Sequence, residues 1–141
     1  MRHLRPSETV ETVFDIDFEA LRAQGKTVLL FDWDNTLTKR RSCVLPHRSA
    51  ALLTHLADSG FRVGILTNRR AHRTVDGVSF PMICHAGKPR ARSYRSLLAQ
   101  LEASEHEAVM IGDRRLTDVL GGNRIGLHTI LVRRPPRDGP S

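Results

Sequence analysis

Cysteine, acidic residues past the first quarter and long apolar runs are what this sequence has little of. Two cysteines in 141 residues, Cys43 and Cys84, cannot build the disulfide framework of a small secreted domain, so a reducing compartment is expected. No apolar run approaches the roughly 20 residues that a membrane-spanning helix needs. The opening MRHLRPSETV has no apolar stretch suited to a secretory signal, and Glu8 and Glu11 argue against a transit peptide. A soluble, cytoplasmic protein, peripheral to a membrane at most, is the expectation. Apolar residues make up 40% and charged residues 26%, which excludes disordered and fibrous classes. The length suits a single domain over 1–141 and is enough to bury a core without structural metal or disulfides.

Acids are scarce only beyond residue 38. Residues 1–38 carry four Lys/Arg against seven acids, whereas residues 39–141 carry 18 against 8. Between Lys39 and Arg95 there are 12 bases and two acids, Asp58 and Asp76. Such a surface favours polyanions: phosphorylated small molecules, nucleic acid or an anionic bilayer. A solvated basic face with no partner is the plain alternative.

Short apolar runs at 27–32, 61–67, 107–112 and 127–132, with a weaker one at 81–84, alternate with helical patterns. Runs of this kind, flanked by polar turns, suit parallel strands buried on both faces. One helix opens at Pro46 and closes at Gly60; a second covers about 90–103; a third, about 115–121, is expected to end in Gly121-Gly122-Asn123. The alternation predicts an α/β, Rossmann-like three-layer fold with a central parallel sheet. Residues 1–26 read as a helical or extended lead-in, and 133–141 as a flexible tail.

What ends each run carries the chemistry. The first passes into Asp32-Trp33-Asp34-Asn35-Thr36 and the second into Thr67-Asn68; Lys88-Pro89 follows the third, and Gly112-Asp113 ends the fourth, with Asp118 five residues on. Ligands in open parallel sheets bind beyond the carboxyl ends of the strands. Several carboxylates gathered there repel one another by about 4 kcal/mol per pair at ~4 Å and an effective dielectric near 20. A hard cation such as Mg²⁺ relieves that repulsion. Asp32, at a strand tip, can attack phosphorus; Asp34 can protonate the leaving oxygen and then deprotonate water. Thr67 and Lys88 can hold the transferring oxygens, with Asp113 anchoring the metal and Asp118 completing its shell.

DWDNTL, ILTN, KP and GDRRLTD, in that order, resemble the four motifs of the haloacid dehalogenase-like phosphatases. LRPSETVETVFDIDFEALRAQG before the first motif and GDRRLTDVLGGNRIGLHTILV at the last look like the YqeG-type branch of subfamily IIIA, which includes phosphatidylglycerophosphate phosphatases. The resemblance covers about residues 4–134. It implies Asp32 as nucleophile, Asp34 as acid/base, and Thr67, Asn68 and Lys88 as phosphate binders. It also implies Mg²⁺ held by Asp32, the Asp34 main-chain carbonyl, Asp113 and Asp118. An acid two residues past the nucleophile marks phosphomonoester hydrolysis within this superfamily. Trp33, the Thr67-Asn68-Arg69 run and the short stretch from Asn68 to Lys88 depart from the branch, which leaves substrate identity open.

Only 11 residues separate Asp34 from Pro46, and 19 separate Asn68 from Lys88, too few for a cap domain. An uncapped site must borrow its walls from a large substrate or a neighbouring surface. That favours a phosphate borne on a lipid headgroup, a protein or a nucleic-acid end; the branch resemblance then implies phosphatidylglycerophosphate or another lipid phosphomonoester as substrate, with an anionic membrane surface rather than nucleic acid as partner. A soluble phosphosugar, nucleotide or phosphoprotein is the alternative. A non-catalytic basic module that binds nucleic acid is the third reading. Among other residues, Lys39-Arg40-Arg41, Arg69, Arg70, Arg114 and Arg115 can face either substrate or solvent. Trp33 is expected to pack beside the site, Cys84 to lie in the core, and His85 to be the histidine nearest the active edge. Cys43 and His47 lack the second pair that a zinc site requires.

Overall fold

The computed structural model describes residues 2–69 and 79–136. Six parallel strands form one sheet in the order β1-β6-β5-β2-β3-β4. They are β1 (Glu8–Val10), β2 (Val28–Phe31), β3 (Arg62–Leu66), β4 (Met82–Ile83), β5 (Ala108–Gly112) and β6 (His128–Val132). The helices are α1 (Phe18–Ala23), α2 (His47–Asp58), α3 (Ala91–Gln100) and α4 (Leu120–Arg124). Alternation of side chains along the strands separates two cores. Leu29, Phe31, Val109 and Ile111 pack with Leu21 of α1 and with Leu53 and Leu56 of α2. Val28, Leu30, Ala108 and Met110 pack with Tyr94, Leu97 and Leu98 of α3. The expected three-layer α/β fold is the observed one, and none of the described helices is long and apolar enough to cross a membrane.

Strand β2 lies between β3 and β5, with Phe31 opposite both Ile65 and Ile111. Chain order runs outward from β2 to β3 and β4 on one side and to β5 and β6 on the other, with β1 added at the far edge, so the crevice at the carboxyl end of β2 is where such a sheet binds ligands. Three of the expected acidic or hydroxylic positions follow directly. Asp32 comes one residue after Phe31, Thr67 one after Leu66, and Asp113 one after Gly112. Pro46 and Gly60 bracket α2 as expected.

Two expectations need revision, and the helical or extended lead-in proves to be both. The lead-in contributes a strand: β1 pairs with β6, and Ser7 and Thr129 exchange backbone-to-hydroxyl hydrogen bonds of 3.2 and 3.0 Å. Only three residues alternate there, too few for a period to show. Cys84 is half-buried just past the edge strand β4, rather than in the core. Gly121-Gly122 does not end a helix; a π-helical turn, Arg115–Val119, runs into α4 and continues through both glycines. Packing is the reason. A Cβ on Gly121 would lie 2.5 Å from the Tyr94 hydroxyl, and one on Gly122 would lie 2.7 Å from Thr129 Cγ2. Gly126, with φ at +84°, follows the helix in the left-handed region that glycine favours. The part of the expected flexible tail at 137–141 lies outside the described residues.

Gly121→Ala forces a methyl group against a buried ring and is expected to cost about 1–3 kcal/mol. Urea denaturation checks this; an unchanged midpoint would mean that α4 does not press on Tyr94 as described.

Candidate active site

Backbone turns set the first catalytic candidates. The Asp32 amide still donates to Ile111 O at 2.9 Å, and the chain then folds back so that the Leu37 amide reaches Trp33 O at 3.1 Å. Trp33 is fully buried, and its indole Nε1–H donates to Ser42 O at 2.8 Å. It packs beneath the loop, as expected. Asn35 adopts φ of 61° as the chain turns.

Lys88 reaches under the tip of β2 with its ammonium buried. It donates to Asp32 Oδ1 at 2.8 Å, Asp118 Oδ1 at 2.7 Å and Leu66 O at 2.8 Å. All three ammonium protons therefore have acceptors. Asn68, expected to bind phosphate, commits its side chain to the Lys88 backbone: Oδ1 accepts from Lys88 N at 2.8 Å and Nδ2 donates to Lys88 O at 3.3 Å. Asp118 accepts Lys88 through Oδ1 and the Arg114 amide through Oδ2, at 3.2 Å. It fits only because residue 112 is glycine; a Cβ there would sit 2.2 Å from Asp118 Oδ2.

One ammonium does not balance three carboxylates. Oxygens of Asp32, Asp113 and Asp118 lie within 4.8 Å of one another. Burial pushes the Asp32 carboxyl up to about 8; Asp118 and, more weakly, Asp113 add to the rise while Lys88 opposes it. Burial also raises Asp113, helped by Asp118 and opposed by hydrogen bonds from Asp32 and Asn35. For Lys88, burial acts to lower the ammonium, but Asp32 and Asp118 outweigh it and hold it above its ordinary value. Asp113 Oδ1 is buried with no hydrogen-bond partner. An all-oxygen cluster with surplus negative charge and an orphaned acceptor fits a hard divalent cation.

Asp34 lies outside that cluster, on the wall of a cleft of about 300 Å³ above Asp32. Its Oδ1 accepts from the Arg41 amide at 3.0 Å and stands 3.9 Å from the Arg69 guanidinium. Arg69 itself is only 6% exposed along its side chain. It donates to the carbonyls of Ser42 and Arg41 and approaches Cys43 Sγ at 3.4 Å. The guanidinium thus straps the loop after the first motif to the loop after β3, while it also lines the cleft. Thr67 is buried, lines the same cleft, and accepts from the Arg69 amide at 3.1 Å. Arg40, Arg41 and Arg114 add exposed charge to the cleft wall, whereas Arg115 turns away to Leu4 O at 3.2 Å. Arg70 lies outside the described residues. Sequence reading had no signal for the roles of Asn35, Leu66 O or the Asn68 clasp, because each depends on a partner distant in the chain or on a backbone turn.

A family model described as HAD-hydrolase-like matches residues 85–135. The chain is 34% identical over 130 residues to the probable phosphatase YqeG of Bacillus subtilis, covering 90% of this chain and 76% of that protein. It is 31% identical over 130 residues to a chloroplastic phosphatidylglycerophosphate phosphatase 1 of Chlamydomonas reinhardtii. That match covers 84% of this chain but 48% of the relative, so the chain spans about half of the algal protein's length. Among solved structures, a HAD phosphatase from Thermococcus onnurineus superposes with a TM-score of 0.56 at 23% identity, over 69% of this chain and 50% of that one. That likeness concerns the fold.

The upward shifts of Asp32 and Asp113 fix a sign. A folded acid that holds its proton more tightly than the unfolded chain destabilises the fold as it is forced to ionise. In EDTA, stability is therefore expected to fall as pH rises from near 3.8 to about 8, the window set by Asp32. Asp32→Asn should flatten that slope in thermal melts; an unchanged slope would remove Asp32 as its source.

Proposed function

The chain belongs to the haloacid dehalogenase-like phosphatases, in the branch of the Bacillus YqeG protein, and from that premise we propose that it hydrolyses a phosphomonoester through an aspartyl-phosphate on Asp32. One observation carries the reading above all: Asp32 stands at a strand tip, hydrogen-bonded to a buried lysine, facing an open cleft. One Asp32 oxygen attacks phosphorus, and the bond from phosphorus to the leaving oxygen breaks. Asp34 gives that oxygen its proton and then takes one from the incoming water. Water attacks the phosphorus, freeing inorganic phosphate and restoring the Asp32 carboxylate. Thr67 and the Asn68 main chain hold the phosphoryl oxygens, where transition-state charge is spread, and Lys88 joins them by releasing one of its three present acceptors.

Asp32, Asp113 and Asp118, with the Asp34 main-chain carbonyl, are the groups that would hold Mg²⁺. When bound, the ion supplies positive charge against both the carboxylate cluster and the phosphoryl oxygens. Asp118 does double duty, since the same carboxylate orients Lys88. Arg69 keeps the Asp34 loop in place and so positions the acid/base.

For the substrate, a phosphate borne on a lipid is the better reading, with phosphatidylglycerophosphate as the specific candidate. Three features support it: the uncapped cleft, its arginine-lined wall, and two exposed apolar side chains. Val44 is 71% and Leu116 67% exposed, the prominent exceptions to apolar burial among the described residues. Both follow carboxyl ends of adjacent strands, one in the loop after β2 and one in the turn after β5. Apolar points beside arginines suit peripheral docking on the cytoplasmic face of an anionic bilayer, where each nearby Lys or Arg is worth about 1 kcal/mol. A soluble phosphomonoester is the competing substrate class.

Phosphate release from phosphatidylglycerophosphate and from soluble phosphosugars and nucleotides, each with Mg²⁺ and with EDTA, tests the reading. The expected result is Mg²⁺-dependent turnover that favours the lipid and vanishes in a folded Asp32→Asn variant. Substantial turnover by that variant would remove Asp32 as nucleophile; equal or better turnover of soluble esters would replace the lipid. Val44→Asp combined with Leu116→Asp should weaken sedimentation with phosphatidylglycerol vesicles while sparing hydrolysis of p-nitrophenyl phosphate. Undiminished sedimentation would contradict docking through these two side chains.

A further inference from the structure

The loop that delivers Lys88 to the cleft has a second side. His85, Gly87 and Arg90, together with Arg92, Ser93 and Ser96 of α3, line a separate cavity of about 500 Å³. None of its lining residues belongs to the catalytic cleft. This cavity lies at the start of α3, a helix of 10 residues. The first amides of a helix have no partner within it and present partial positive charge. A Ser, Thr, Asp or Asn at the cap ordinarily satisfies one of them. Here the cap position is Arg90, its side chain makes no capping bond, and no acid lies in the first turn.

Ser93 supplies an independent sign of a missing ligand. The residue is 7% exposed and lines the cavity, yet its Oγ is buried with no hydrogen-bond partner. Native structures rarely leave a buried hydroxyl unsatisfied, and an unobserved anion or water is among the standard reasons. Among the described residues, no carboxylate pairs with Arg90 or Arg92. Free amides, a donor hydroxyl and two guanidinium groups share one preference, a tetrahedral oxyanion with several acceptor oxygens.

We propose that the amino end of α3 binds a phosphate group, outside the catalytic cleft, through its first-turn amides, the Ser93 hydroxyl and the guanidinium groups of Arg90 and Arg92. The cavity is large enough for more than a bare phosphate, so the group comes either from free inorganic phosphate or from a lipid headgroup.

Amide NMR on ¹⁵N-labelled protein tests this at constant ionic strength. One titration uses inorganic phosphate and a parallel one uses monomeric short-chain phosphatidylglycerol. The Arg92 and Ser93 resonances should move along a saturating curve, separately from any response at Thr67 and Asn68. Saturation by phosphate alone, or more tightly by the lipid, supports the site and names its source. In an Arg90→Ala/Arg92→Ala variant that keeps the parent spectrum elsewhere, affinity should fall about tenfold or more for the lost charge-assisted contacts. Ser93→Ala should weaken binding as well. Linear drift with both ligands, equal to that given by chloride, or unaltered affinity in the double variant, would overturn the proposal. Neither result bears on hydrolysis at Asp32, which phosphate release reports separately.

Discussion

The buried Lys88 ammonium is the contact on which the rest of the site depends. It bonds to Asp32 from β2, to Asp118 from the turn after β5 and to the last carbonyl of β3. Three strands of the sheet are thereby tied at one end by one side chain. Removing one partner from a buried ion pair typically costs about 3–5 kcal/mol, because the other charge is left stranded. The supporting details make sense in that light. Asn68 grips the Lys88 backbone on both sides, Gly112 leaves room for Asp118, and Tyr94 donates to the carbonyl of Thr117 at 3.1 Å beneath the same turn.

Charge is arranged in two opposed shells. Inside, three carboxylates face one lysine, and burial raises Asp32 and Asp113 above their ordinary values. Outside, arginines dominate the cleft wall and the adjoining cavity. An anionic ligand is drawn in by the outer shell. At the centre it meets a cluster that needs positive charge before a phosphate dianion can approach. In the proposed chemistry a divalent cation held by the three carboxylates would reconcile the two shells. The excess of bases past residue 38 is thus more than a solvated face, at least where it borders the cleft.

Arg69 illustrates how a departure from a family pattern can be absorbed. Read in sequence, it stood beside Thr67 as a candidate substrate contact. Folded, its guanidinium donates to the carbonyls of Arg41 and Ser42, and its charge rests near Asp34. Much the same holds for Asn68, whose amide serves the lysine rather than the cleft. Both side chains find partners 20 or more residues away, a relation that no local pattern encodes. Gly121 and Gly122 lie inside a helix for a related reason. Adjacent glycines usually mark a helix end, and only the neighbouring Tyr94 and Thr129 explain why they sit inside one.

Local order was enough to determine the strands that matter, the acids and hydroxyl at their tips, and the parallel α/β architecture. Buried parallel strands need continuous apolar runs, and Asp32, Thr67 and Asp113 each follow their strand directly, whereas Lys88 and Asp118 come several residues later. The lone strand in the lead-in escaped because three residues carry no readable period. Tertiary structure alone decided which two carboxylates Lys88 holds, which of the arginines face the cleft, and that a buried serine hydroxyl is left without a partner at the head of α3. Those outcomes depend on distances between segments far apart in the chain, and such distances are set by packing across the sheet rather than by any stretch of sequence.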